Sequence, residues 1–333
     1  MEGGIAGSYK GPIAILVATA LMAFQDAIVQ WLTNTLPLWE FFMVRSIFVI
    51  PILVLFATRN IKQLTRVLKP WPLLRSGLLV SMYIFYYAGL PRIDLSVVAA
   101  TYYTAPLFIL LLSVIFLRER VTRAQVIAFA MAFGGVLVIV RPAEDRFDAM
   151  TLMPLVAALM YALAAVTTKG RVFSESPWVL VLSLNIVFAV VGMSGAALLL
   201  AIRPEASAYP FLLSPWAPLT LSSLATVVAL GMISIGIHLF LAKAYQAGPT
   251  GVVAVLDYAY LCFASLWTLV LFGRLPQAHV ILGTLLIVLS GLLSLWSGMA
   301  ASRRPAEACD KKERDGYPGS APIDESLCER KRP

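Results

Sequence analysis

Long stretches with almost no charge recur ten times along this chain, and they constrain its fold more than any other feature. A helix needs about 20 apolar residues to cross the hydrocarbon core of a bilayer. By that measure the predicted spans are Gly11–Leu32, Leu38–Ala57, Pro72–Leu90, Leu95–Leu117, Ala124–Val140, Met150–Thr168, Pro177–Ile202, Pro218–Tyr245, Thr250–Phe272 and Ala278–Met299. The connections are short, and several carry breakers: Leu36-Pro37, Lys69-Pro70-Trp71-Pro72 and Gly248-Pro249. None has room for a soluble domain. Hydrophobic residues make up 60% of the 333 and charged residues 13%, against about 45–50% and about 25% in soluble domains. No soluble core absorbs that surplus, so the expectation is an all-α integral membrane protein of ten helices.

The net charge of +8 would suggest nucleic-acid binding in a soluble protein. Here Lys and Arg sit in short tracts between apolar runs, where they set orientation, and no nucleic-acid partner is expected. With the N-terminus inside, the inner tracts hold twelve of them: Lys10, Arg59, Lys62, Arg66, Lys69, Arg75, Arg118, Arg120, Arg123, Lys169, Arg171 and Lys243. The outer tracts hold five: Arg92, Arg141, Arg146, Arg203 and Arg274. Both termini are therefore expected in the cytoplasm, in a bacterial inner membrane. The first apolar run contains Gln25 and Asp26 and lacks a cleavage region, so it reads as a retained helix. Cys262, Cys309 and Cys328 form no C-x-x-C pair, and neither a disulfide framework nor a metal site is expected. Residues 301–333 are polar and mixed in charge, which predicts a disordered cytoplasmic tail.

The spans divide into two sets of five. Val97-Val98-Ala99-Ala100 is echoed by Val252-Val253-Ala254-Val255, after which Tyr103 aligns with Tyr258 and Phe108 with Phe263. In the first spans of each half, Leu21-Met22 aligns with Leu159-Met160. The boundaries are a cytoplasmic segment 1–10, a first repeat 11–141, a second repeat 149–299 and the tail 301–333. Five is odd, so the second half enters the membrane from the opposite side. Inverted repeats of this kind are an architecture of secondary transporters, with the substrate site near the midplane between halves.

Ala105-Pro106-Leu107 followed by Phe116-Leu117-Arg118-Glu119-Arg120-Val121-Thr122 resembles the signature of the EamA-type drug/metabolite transporter superfamily. A second copy reads Asp257-Tyr258, then Leu271-Phe272-Gly273-Arg274-Leu275-Pro276. Asp26-Ala27, Trp31-Leu32, Glu40 and Arg45 resemble its bacterial branch of S-adenosylmethionine-uptake-like carriers. Two positions depart: Arg274 stands where the family usually has an acid, and Leu261 replaces the proline matched by Pro106. The resemblance covers residues 10–298 and implies ten helices, alternating access and a small organic solute.

A charge at the bilayer centre costs about 2.5–3.5 kcal/mol on insertion scales, so each one asks for a partner or a purpose. Asp26 and Arg45 lie at matching depths in the first two spans, and their repeat partners are Ala164 and Ser183. Both charges vanish together from the second half, which suggests one ion pair, either packing the first two helices or serving substrate or coupling. Asp257 follows Gly248-Pro249, faces no Lys or Arg on its own helix, and is a candidate proton carrier or a hydrogen-bonded interface acid. His238, at similar depth, either pairs with Asp257 or packs against a neighbouring helix. Glu40 is expected at the interface. Tyr83, Tyr86, Tyr87, Tyr102, Tyr103 and Tyr258 lie deep, where they could line a cavity and stack on a planar or cationic solute. Trp31, Trp39, Trp71, Trp178 and Trp216 mark span ends. The glycines Gly134-Gly135, Gly192, Gly195, Gly231 and Gly236 permit close helix contacts.

The chain carries no H-E-x-x-H, no Walker loop and no nucleophile–base pair. The expectation is a secondary transporter of a small organic metabolite, without cofactor or metal, driven by a proton or solute gradient. Its substrate or coupling residues are expected to be Asp257, Tyr258, Tyr102, Tyr103, Asp26, Arg45, Tyr83 and His238. A homodimer is open as its assembly. The alternative class is a membrane enzyme acting on a lipid or isoprenoid head group, which needs clustered carboxylates at one membrane face.

Overall fold

The computed structural model describes residues 10–29, 36–57, 65–89, 101–119, 121–140, 152–205, 210–214, 216–273, 275 and 277–315. Their elements are α1 Lys10–Val29, α2 Leu38–Ala57, α3 Pro70–Gly89, α4 Ala105–Leu117, α5 Arg123–Val140 and α6 Leu152–Gly170. These are followed by α7 Pro177–Ile202, α8 Pro210–Leu213, α9 Leu221–Ala247, α10 Thr250–Asp257, α11 Ala259–Phe272 and α12 Ala278–Asp315. No strand occurs among the described residues. Six segments there are long and apolar enough to cross a membrane: Leu38–Phe56, Leu152–Gly170, Pro177–Ile202, Leu221–Ala247, Thr250–Leu271 and Ala278–Ser297. Ala105–Leu117 and Arg123–Ile139 are shorter apolar helices.

The side chains are sorted for lipid. Leu55, Phe116, Leu198, Leu221 and Trp296 point outward and are more than half exposed, whereas Arg45, Arg75, His238 and Asp257 are buried inside the bundle. Hydrocarbon accepts apolar surface freely and excludes charge, so this distribution is the one a membrane selects. It makes the protein a multi-pass membrane protein.

Local chemistry sets the helix ends. Pro177 opens α7, where its missing N–H has no helical partner to lose. Thr220 and Ser223 form a capping box at the start of α9, and Gly248-Pro249 ends that helix. Arg118 (φ 54°) and Gly273 (φ 65°) close α4 and α11 in the left-handed conformation.

Two interruptions shape the interior. Between α10 and α11 the Tyr258 N–H reaches back to the Val255 carbonyl at 3.3 Å instead of continuing the regular ladder. Before α4, the Thr104 N–H and hydroxyl both bond the Thr101 carbonyl, at 3.2 and 2.6 Å, and a new helix starts at Ala105-Pro106. Packing holds these breaks together: α3 lies on α6, α9 and α11 on α1, α7 on α2, α12 on α5, and α10 on α4. At the α5–α12 crossing a Cβ on Gly135 would sit 2.8 Å from the Gly283 carbonyl oxygen, so the two backbones meet at glycine. Gly192 does the same against the Trp39 carbonyl at 2.7 Å, whereas Gly134 meets nothing within 4 Å.

Several expectations need correction. Arg75 is not a loop residue: it lies within α3 and is 1% exposed, its Nε donating to Thr168 Oγ1 at 2.8 Å. Glu40, in the first turn of α2, is covered by protein rather than open to the surface, and accepts a hydrogen bond from the Ala217 N–H at 2.8 Å. Helix α12 runs on to Asp315, through the start of the segment expected to be disordered. Residues 300–314 are rich in Ala, Glu, Lys and Arg, and extending an existing helix adds hydrogen bonds without a new nucleation step. Residues 1–9 and 316–333, Trp31, the Val97–Ala100 copy, and Arg59, Lys62, Arg92, Arg120, Arg141, Arg146 and Arg274 lie outside the described residues.

Candidate functional site

A cavity of about 770 Å3, its open mouth included, lies among α1, α3, the 101–106 segment, α6 and the α10–α11 break. Met22, Gln25 and Asp26 line it from α1, and Met82, Tyr83, Tyr86 and Tyr87 from α3. Tyr102, Tyr103, Ala105 and Pro106 come from the interruption before α4, with Tyr161 from α6 and Asp257 and Tyr260 from the second interruption. Breaking a helix at each of these places frees backbone and re-aims side chains that a continuous helix would hold along its own surface.

The walls are aromatic. The Tyr86 and Tyr102 rings meet edge to face at 4.9 Å, Tyr83 stacks on Tyr87 at 6.0 Å, and Tyr103 lies 5.8 Å from Tyr260. Such rings offer π-faces to a planar or cationic group and hydroxyls to its polar edge. Two carboxyl groups enter this surface. Asp257, buried, accepts hydrogen bonds from the Tyr161 hydroxyl at 2.9 Å and the Tyr245 hydroxyl at 3.5 Å. Asp26, on the exposed side near the mouth, accepts one from the Tyr260 hydroxyl. Trp267 steadies α11 against α1 by donating its indole N–H to the Ala20 carbonyl at 3.1 Å.

Of the expected residues, Asp257, Tyr102, Tyr103, Asp26 and Tyr83 come together around this cavity. Tyr258 does not line it: the ring is fully buried, 6.2 Å from Phe129, and its hydroxyl has no partner among the described residues. Asp26 and Arg45 form no ion pair. The Arg45 guanidinium instead lies 4.2 Å above the Phe188 ring and 5.4 Å from Phe41. Matching depth put both charges at one level, but the helix rotation turns Arg45 toward α7 and Asp26 toward α11. Nor does His238 bond Asp257; its ring stands edge-on to Tyr83 at 6.3 Å, and neither nitrogen has a partner among the described residues.

Sequence reasoning missed Tyr161 and Tyr260, the donors to the two carboxyls. One signal was present for Tyr161. The repeat pairs Asp26 with Ala164, and Tyr161 lies one helical turn from Ala164 on the same face. Tyr260 has no comparable signal, because its partner Asp26 is 234 residues away.

Comparison with known proteins bears on this architecture. Residues 9–141 match the EamA-like transporter family. The riboflavin transporter of Rhizobium johnstonii is 26% identical, covering 89% of this chain and 94% of its own. The pseudopaline exporter CntI of Pseudomonas aeruginosa is 26% identical over 84% of this chain and 94% of its own. The S-adenosylmethionine uptake transporter of Rickettsia conorii is 24% identical over 88% and 95%. A solved crystal structure superposes with TM-score 0.67 at 20% identity, covering 89% of this chain and 98% of its own, and so shares the fold. The expected superfamily is the one matched: residues 9–141 are similar to the EamA-like transporter family.

Proposed function

We propose that this protein is a secondary active transporter that moves a small organic metabolite by alternating access. The observation that carries the reading is the tyrosine-walled cavity between two interrupted helices, with Asp257 held by Tyr161 at its depth. The three relatives are named as transporters or an exporter, which favours transport over an enzyme acting on lipid head groups. Asp257 carries the coupling proton, and Tyr102, Tyr103, Tyr161 and Tyr260 bind the solute. The chain crosses a bacterial inner membrane ten times as two inverted halves, 11–141 and 149–299, with both termini in the cytoplasm.

The pattern of helix contacts supports the two-fold relation. Exchanging α1, α2, α3, α4 and α5 for α6, α7, α9, α10–α11 and α12 turns the α3–α6 contact into α9–α1. The same exchange turns α4–α6 into α11–α1 and α7–α3 into α2–α9. It returns α2–α7, α5–α12 and α4–α10 to themselves. The left-handed ends at Arg118 and Gly273 fall at equivalent places in the two copies.

Counterflow in proteoliposomes tests the function. Vesicles preloaded with unlabelled riboflavin, S-adenosylmethionine, pseudopaline or aromatic amino acids should take up the matching label saturably, for at least one solute. Folded protein that gives no saturable uptake across a broad panel overturns the transporter reading.

A further inference from the structure

The cavity accounts for the acids Asp26 and Asp257 but leaves a set of buried bases beyond its wall unused. We propose that Arg45 and His238, with Arg75 as a further buried base behind them, form an oxyanion subsite that receives a carboxylate or phosphate group of the transported solute. The proposal deepens the transporter reading and rests on it.

The three side chains are 3%, 2% and 1% exposed. Arg45 Nε and Nη2, Arg75 Nη1 and both nitrogens of His238 are buried without a hydrogen-bond partner among the described residues. Phe188 and Phe41 cover the guanidinium of Arg45, at 4.2 and 5.4 Å. That contact engages the π-faces of the rings, while the guanidinium N–H groups point outward in their own plane and stay free to donate. No carboxyl among the described residues pairs with them: Asp26 accepts from Tyr260, Asp257 from Tyr161 and Glu40 Oε2 from the Ala217 N–H, while Glu40 Oε1 is buried without a partner there. The ion pairs found among the described residues join Arg66 and Lys69 to Glu175, outside this cluster. The two arginines are permanent cations, and burying them without an anion is costly, which favours an anion that enters from the solute.

Position ties the cluster to the transport path. Tyr83 lines the cavity on one side and meets both Phe188 (5.5 Å) and His238 (6.3 Å) on the other, so a single ring stands between. Arg75 is eight residues before Tyr83 on α3, about 12 Å further from the mouth at helical rise. Charge is therefore layered along the bundle, with carboxyls around the cavity and bases beyond it. A fork of parallel N–H donors matches two oxygens of one carboxylate or phosphate, which a spherical halide cannot offer. The solute that fits is an aromatic or planar body bearing an oxyanion, handed past Tyr83 as the halves rock.

The unfolding midpoint of the purified, detergent-solubilised protein is measured against sodium acetate and against inorganic phosphate, with chloride holding ionic strength constant. Wild type should show saturable stabilisation by at least one of the two, and which one responds tells carboxylate from phosphate. Arg45→Gln and His238→Gln should each raise the apparent dissociation constant at least about tenfold, while Arg45→Lys, which keeps the charge but loses the fork, should raise it by less than Arg45→Gln. If Arg45→Gln does not fold, His238→Gln and Arg45→Lys carry the comparison. A flat wild-type response, or equal responses in wild type and His238→Gln, overturns the subsite, since water then satisfies these donors. Counterflow that persists alongside that result leaves the transporter reading intact, so the two failures are separable.

Discussion

The two helix interruptions use one backbone device for different chemistry. At Thr101–Thr104 the turn delivers two tyrosines, Tyr102 and Tyr103, and no charge. At the α10–α11 break the corresponding positions are Asp257 and Tyr258. There the carboxyl enters the cavity while the tyrosine turns into the core against Phe129. The rings of Tyr103 and Tyr258 still meet at 6.3 Å, so the two breaks touch. The two breaks share a turn of the backbone, while the side chains they present differ. The first break thus offers a stacking surface, and the second a titratable group held by Tyr161 and Tyr245.

That contrast breaks most decisively at Asp257. Asp257→Asn keeps the shape and removes the titratable group, so uptake driven by a pH gradient should fall tenfold or more, while counterflow at equal pH persists. Equal loss of both activities would mean that Asp257 binds solute rather than a proton. Next in size are Tyr102→Ala and Tyr103→Ala. Each removes a stacking partner worth about 0.5–1.5 kcal/mol, so the half-saturation of counterflow should rise roughly 2- to 12-fold. A fall in pH-gradient coupling without that rise contradicts the division of labour.

Tyr161→Phe, which deletes one donor to Asp257, acts on a different readout. A hydrogen bond to a charged group contributes about 1.5–3 kcal/mol, and Tyr245 keeps a second contact, so the effect should sit at the lower end, a shift of about one pH unit. The pH at which uptake is half-maximal is the quantity to record, and an unmoved profile dismisses Tyr161 as a positioning residue for Asp257. Last comes Tyr258→Phe, whose hydroxyl has no partner among the described residues. Transport should stay within about twofold, and a large loss would return Tyr258 to the cavity.

The sequence marked the kinship of these segments but not their breaks. Tyr103 aligned with Tyr258 because repeats are local signals, yet Leu95–Leu117 and Thr250–Phe272 each read as one continuous span, since both stay apolar through the turn. Arg75 escaped because its charge lies close to a basic tract, and only the packing of α3 on α6 reveals Thr168 as its partner. The Asp26–Arg45 pairing failed for a related reason. Equal depth along two helices says nothing about rotation, and a turn of roughly 100° per residue decides which neighbour a side chain meets.

The chain by itself determined that it lies in a membrane, where its apolar helices run, and which family it resembles. Those properties follow from runs of residue types read one after another, since lipid tests each segment for hydrophobicity wherever it packs. Only the tertiary structure decided which polar groups meet: Tyr161 with Asp257 and Tyr260 with Asp26. It also left Arg45, Arg75 and His238 without an anion among the described residues. Contacts between helices far apart in the chain depend on how each helix is rotated against its neighbours, and that is a property of the packed bundle.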